Sequence, residues 1–150
     1  MIQRLLLGAG PESQHEEGSI RVDVVPAWAD IVCDLNEKIP LIPKENPTFD
    51  YIEAHHIFEH LESTKQLKRI MRWCWEILSK DGIFDITVPH WKSDSAVECI
   101  EHVRFFNENS FMNYYQNLYW KEMGLPQFKL IKNELRDHGG HLEVHVQLSK

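Results

Sequence analysis

The feature that most constrains this chain is an alternation: short apolar runs ending at turn residues are interleaved with longer segments of helical period, the order expected of an α/β fold. The runs predict strands at 2–7, 20–24, 30–34, 50–54, 83–88, 127–133 and 141–148. Between the fourth and fifth, Leu67, Ile70, Met71, Cys74, Ile77 and Leu78 share one helical face. Ser63 and Gln66 have the spacing of a capping box at its start, and Lys80-Asp81-Gly82 supplies a basic last turn and a turn glycine. A second helix is expected over 109–123, after Asn107-Glu108-Asn109-Ser110 and before Gly124 and Pro126.

Strand parity adds a second constraint. A parallel sheet covered on both faces reads as continuous hydrophobic runs. Here Ile20, Val22 and Val24 alternate with Arg21 and Asp23. Phe84, Ile86 and Val88 alternate with Asp85 and Thr87, and Leu142, Val144, Val146 and Leu148 with Glu143, His145 and Gln147. One sheet face is therefore expected to be polar. Residues 11–19 and 25–29 are too short for full helices, whereas right-handed crossovers place the two later helices together. The expectation is a sheet with helices mainly on one face.

Composition narrows the class. With 150 residues and 43% hydrophobic content, residues 1–150 read as one domain with its own core. The net charge of −7 gives no attraction for phosphate backbones, which excludes nonspecific nucleic-acid binding. Cys33, Cys74 and Cys99 are odd in number and lack C-x-x-C spacing, so neither a disulfide framework nor a zinc ribbon is expected, and a reducing cytoplasm is the simplest compartment. No stretch approaches the ~20 apolar residues of a membrane span, and the opening Met1–Leu7 run is too short for a signal-peptide core.

Five motifs in order carry a resemblance. They are Leu5-Leu6-Leu7-Gly8-Ala9-Gly10-Pro11, with Glu12 where a third glycine is usual; Asp23 and Asp34 at the next two strand ends; Phe49-Asp50-Tyr51-Ile52-Glu53-Ala54-His55-His56; Ile77-Leu78-Ser79-Lys80-Asp81-Gly82-Ile83-Phe84; and Val88-Pro89-His90-Trp91 followed by Glu101-His102-Val103-Arg104-Phe105-Phe106. Together they resemble class I S-adenosylmethionine-dependent methyltransferases, especially the compact group found beside sugar and polysaccharide genes. The resemblance implies a Rossmann-like sheet of about seven strands, mostly parallel with an antiparallel last strand. It also implies bound S-adenosylmethionine, held by Gly8, Ala9, Gly10, Asp23, Val24, Asp34, Leu35, Ala54 and His55. A carboxylate after the second strand can accept both ribose hydroxyls, as in dinucleotide-binding folds.

Methyl transfer from a sulfonium needs in-line positioning, and a base where the acceptor must lose a proton. Ligands of open α/β sheets bind at the carboxyl ends of strands, where His56, His60, His90 and His102 are expected to gather as catalytic candidates. His56-x-x-Glu59-His60 with the later His102 is similar to the E-x-x-E-H…H metal motif of small-RNA 2′-O-methyltransferases and quinone-biosynthesis O-methyltransferases, with His56 in place of the first Glu. That likeness implies a divalent transition metal on His56, Glu59, His60 and His102, since imidazoles favour such ions over magnesium.

The expected activity is methyl transfer to an O or N acceptor on a small molecule or sugar. DNA amino-methylation is disfavoured because Ala54-His55-His56-Ile57 stands where a D-P-P-Y-type run would follow the fourth strand. Two alternatives stay open: a noncatalytic cofactor-binding or assembly module that needs a partner, and a cofactor-cleaving lyase. A homodimer is expected, because a sheet face without helices calls for cover, and the surplus aromatics Trp28, Trp73, Tyr114, Tyr119 and Trp120, several of them off the predicted core stripes, are candidates for that contact.

Overall fold

The computed structural model describes residues 2–11, 18–43, 48–116 and 121–150. Strands β1 (Arg4–Leu7), β2 (Ser19–Asp23), β3 (Ile31–Val32), β4 (Phe49–His55), β5 (Leu78–Pro89), β6 (Lys129–His138) and β7 (His141–Ser149) form one sheet in the order β3-β2-β1-β4-β5-β7-β6. All neighbours from β3 to β5 run parallel, and β7 is antiparallel to both β5 and β6. This is the Rossmann-like arrangement expected from the sequence. The β6–β7 hairpin turns at Gly139 and Gly140, both at positive φ, as a two-residue turn matched to strand twist requires.

Among the described residues, one helix of full length, α1 (Thr64–Ile77), joins β4 to β5. Ser63 caps it by accepting from the Gln66 amide at 3.4 Å, while the Gln66 side chain turns inward and donates to the Leu35 carbonyl at 2.7 Å. The Lys80-Asp81-Gly82 turn falls inside β5 as an irregularity opposite the Phe49–Tyr51 stretch, with Asp81 at φ 63. The helix expected over 109–123 is corrected over 109–116, while 117–120 lie outside the described residues. Asn107 and Ser110 bond each other's local backbone and side chains, and Met112–Tyr114 is a single 3₁₀ turn pinned by buried Phe111 and Tyr114. Asn and aromatic residues are weak helix formers, and here the core holds them in turns. Among the described residues beyond that turn, only 121–122 are helical before Gly124.

The core lies on one side of the sheet. Cross-strand rows Leu5–Ile52–Phe84–Leu148 and Leu7–Ala54–Ile86–Val146 are buried beneath Ile70, Met71 and Cys74 of α1, with Phe58, Phe111 and Phe128 beside them. Each Leu, Ile, Val, Met or Phe among them contributes about 1.5–3 kcal/mol on leaving water. No helix of the described residues is long and apolar enough to cross a membrane.

The opposite face is polar, as parity predicts, and no described helix covers it. Basic and acidic side chains alternate across it in a ladder. Arg4 meets Glu53 at 3.9 Å, Glu53 meets His55 at 3.5 Å, and His55 and His145 each approach Asp85 Oδ1 at 3.0 Å. His145 also reaches Glu134 at 3.2 Å, which pairs with Arg136 at 2.7 Å. Asp85 Oδ2 accepts from Tyr51 Oη and Gln147 Nε2, both at 2.6 Å. Burial opposes ionisation of Asp85, but the hydrogen bonds from His55, Gln147, Tyr51 and His145 hold its carboxyl far below the usual range. The sheet thus needs no apolar cover on this side. The aromatics expected to cover it lie elsewhere: Tyr114 is in the core, Trp73 packs against it, and Trp28 lines a cavity. Tyr119 and Trp120 lie outside the described residues.

Candidate functional site

A cavity of about 710 Å³ opens at the carboxyl ends of β1, β2 and β4. Its floor is Gly8, at φ 64, where a Cβ would lie 1.8 Å from Ile57 Cδ1. Only glycine lets Ile57 close over the strand end. The amides of Gly8 and Ala9 donate to the Val22 carbonyl at 2.8 and 3.3 Å, and the Gly10 amide donates to Asp23 Oδ2 at 3.0 Å. The loop amides are therefore used to dock the loop on β2. Asp23 is 9% exposed, lines the cavity and also accepts from the Val25 amide through Oδ1 at 2.8 Å. A carboxylate has about four lone-pair positions, so each oxygen keeps acceptor capacity for a hydroxyl.

Val24, Asp34 and Leu35 line the same cavity. Asp34 closes its own turn by accepting from the Asn36 amide at 2.8 Å. Asn36 is a site residue that sequence reasoning missed: its side chain donates to the His60 carbonyl at 3.1 Å and accepts from the Glu62 amide at 2.9 Å, fixing the two walls to each other. The structure does not bring Ala54 or His55 to the cavity. Ala54 is fully buried in the core, and His55 belongs to the ladder on the other face. Ile57 lines the wall instead.

The histidines divide into three settings. His56, at φ 54, lines the cavity and sits between two carboxylates, with Nδ1 3.2 Å from Glu59 Oε1 and Nε2 2.9 Å from Glu143 Oε1. The Glu59 hydrogen bond outweighs burial and, with Glu143, raises its pKa. His60 lines the cavity, with its ring 4.6 Å from that of His102 at 80°. His90 is withdrawn: it is 4% exposed, its Nδ1 accepts from the Lys92 amide at 3.3 Å, and Nε2 lies 3.3 Å from Glu108.

Of the four expected metal ligands, Glu59, His60 and His102 bring donor atoms within 4.8 Å of one another. Glu59 Oε2 and His102 Nδ1 are buried and have no hydrogen-bond partner. Orphaned buried acceptors of this kind are rare and suit a cation. His56 stands behind this trio, on the other oxygen of Glu59. The trio is stitched by the Val103 amide donating to the Glu59 carbonyl at 2.9 Å, and by Arg104, whose guanidinium donates to the Leu61 and Glu62 carbonyls and to Thr64. Arg104 falls in the fifth motif, whereas the Glu143 contact has no local sequence signal.

No family profile matches this chain, and no curated protein matches it. The fold is shared with solved S-adenosylmethionine-dependent methyltransferases. The N-methyltransferase NodS from Bradyrhizobium japonicum WM9 superposes with a TM-score of 0.60 at 11% identity, covering 99% of this chain and 86% of that one. Its complex with S-adenosyl-L-homocysteine gives 0.55 at 9%, covering 99% and 78%. An S-adenosylmethionine-dependent methyltransferase from Clostridium acetobutylicum ATCC 824 gives 0.64 at 10%, covering 98% and 83%.

Proposed function

We propose that this chain binds S-adenosylmethionine in the cavity and transfers its methyl group to an oxygen or nitrogen nucleophile on a small molecule or sugar. The observation that carries the reading is Asp23: a largely buried carboxylate at the end of β2, anchored by two backbone amides and facing a cavity floored by Gly8. Such a group suits paired ribose hydroxyls. Asp34 and Leu35 would flank the adenine. S-adenosylmethionine supplies a methyl on a sulfonium, so the chain's own task is alignment and removal of a proton from the acceptor. His56, held between Glu59 and Glu143 with a raised pKa, serves as a proton-bearing donor. His60 is then the cavity histidine placed to accept the proton, with His90 excluded by its two contacts.

Glu59, His60 and His102 would hold a divalent transition metal, with His56 orienting Glu59. Such an ion would lower the pKa of an acceptor hydroxyl and take over the role of His60. About one equivalent of zinc or a similar ion is expected to bind per chain, and His102→Ala is expected to abolish uptake. Elemental analysis after dialysis without chelator checks this. No uptake by the native chain would remove the metal from the proposal.

The cytoplasm suits the cysteines: Cys33 and Cys74 are buried free thiols and Cys99 is half-buried. Calorimetric titration with S-adenosylhomocysteine, followed by an acceptor panel with mass-spectrometric detection, tests the function. Binding followed by a methylated product is expected. Binding without product across the panel favours a noncatalytic or partner-dependent module, adenosyl product without acceptor favours a lyase, and no binding at about 1 mM cofactor overturns the proposal. We also propose that the chain works as a homodimer.

A further inference from the structure

Strand β6 is the outer edge of the sheet and is ten residues long. Leu130, Ile131 and Leu135 on it are 43%, 53% and 43% exposed. Among the described residues, its backbone has no partner besides β7. A long edge with exposed apolar side chains is a template for another strand unless charge or distortion blocks it. Three basic residues and the irregularity at Ile131 could be such a guard, so the order of the charges is decisive.

Read outward from Asn133, residues 131–135 are complementary to their own reverse. Lys132 matches Glu134 and Ile131 matches Leu135; beyond them the register shift at Ile131 puts Leu130 on the core face while Arg136 lies on the polar face, so the match ends there. Run antiparallel to its own copy about a two-fold axis at Asn133, β6 places opposite charges and apolar pairs directly across from each other, the arrangement that stabilises strand pairs. The two adjacent registers fail. Centring on Glu134 sets Glu134 against itself and Lys132 against Arg136, and centring on Lys132 sets two lysines together. A half-step shift would put a polar-face residue opposite an apolar-face one, throwing the two cores to opposite sides of the joint sheet.

We infer that two copies of this chain pair edge to edge through β6, in antiparallel register centred on Asn133, to form one continuous sheet. This interface is independent of the methyl-transfer reading. The faces agree with it. Lys132 and Glu134 both project onto the polar side, because they lie opposite Gln147 and His145. Glu134 of one copy therefore meets Lys132 of the second, and the ladder of bases and acids runs on from one subunit into the other. Asn133 does not obstruct the axis, since its side chain is drawn inward to donate to the Glu108 carbonyl at 2.6 Å. The contact is isologous, so it closes at two copies.

The test is register-specific crosslinking in a Cys99→Ser background, which removes the least buried native thiol. Ile131→Cys and Leu135→Cys proteins are prepared separately, then mixed and oxidised. A covalent dimer is expected from the mixture and from neither variant alone. Light scattering of the native chain should give twice 17.7 kDa, and Lys132→Glu, which sets Glu against Glu134, should weaken association several-fold while leaving S-adenosylhomocysteine binding as it was. A native mass of 17.7 kDa at the highest soluble concentration would overturn the inference. So would crosslinking of either single variant as readily as of the mixture, or a Lys132→Glu protein that dimerises like the native one. Loss of cofactor binding in the native chain would count only against the proposed function.

Discussion

Asp85→Asn is expected to destabilise the chain by roughly 3 kcal/mol, the scale of breaking one member of a buried ion-paired network. For a chain of this size that lowers the melting temperature by about 6–12 °C. The reason is donor counting. Four groups converge on the carboxylate: His55 and His145 on Oδ1, Tyr51 and Gln147 on Oδ2. An amide offers one oxygen only, so its nitrogen would face two donors in a place that is 5% exposed. The pH dependence follows from the sign of the shift. Because the folded carboxyl sits below its unfolded value, its contribution is fully present above about pH 3.9 and is lost as pH falls from there toward the folded pKa. The gap between native and variant melting curves should stay open at pH 4 and above and narrow in stronger acid. Melting within about 2 °C of the native chain near neutrality would show that the ladder is decoration.

Asp23→Ala is expected to weaken S-adenosylhomocysteine binding about tenfold or more, since an unreplaced charged acceptor is worth roughly 1.5–3 kcal/mol. The loss has two sources. The ribose hydroxyls would lose their acceptor, and the Gly10 and Val25 amides would lose the group that fixes the loop and the strand end. Asp23→Asn separates them, because its single amide oxygen can still cap one of those amides. An alanine variant that remains folded and binds with native affinity would remove Asp23 from the site.

Much of the fold was legible because it rests on periodicity. Every expected strand has its counterpart, and the polar parity of β5 and β7 reappears as the ladder of Asp85, His145 and Gln147. The hairpin length of β6 was less visible, since Glu134–His138 carries only one apolar residue and is held by pairing with β7. Residues 109–116 misled because cap-like residues precede them, while buried Phe111 and Tyr114 dictate turns. At the site, Gly8, Asp23 and Asp34 follow from strand ends, and Glu59, His60 and His102 from a short motif plus one loop. Asn36, Arg104 and Glu143 act over sequence separations of 24, 43 and 87 residues, through hydrogen bonds that no local pattern encodes. His55 was misplaced for a simple reason: adjacent residues on a strand point to opposite faces, so it could not share the cavity with residues that follow the strand's last turn.

The backbone of His56 carries one further consequence. A left-handed φ of 54° costs an ordinary L-residue on the order of 1 kcal/mol or more, which glycine or asparagine would largely avoid. Histidine at that position is a compromise in which conformational strain is tolerated for what the imidazole does between Glu59 and Glu143. Engineering this chain for hardiness would therefore single out residue 56 first, and the hardier protein would give up the imidazole held between Glu59 and Glu143.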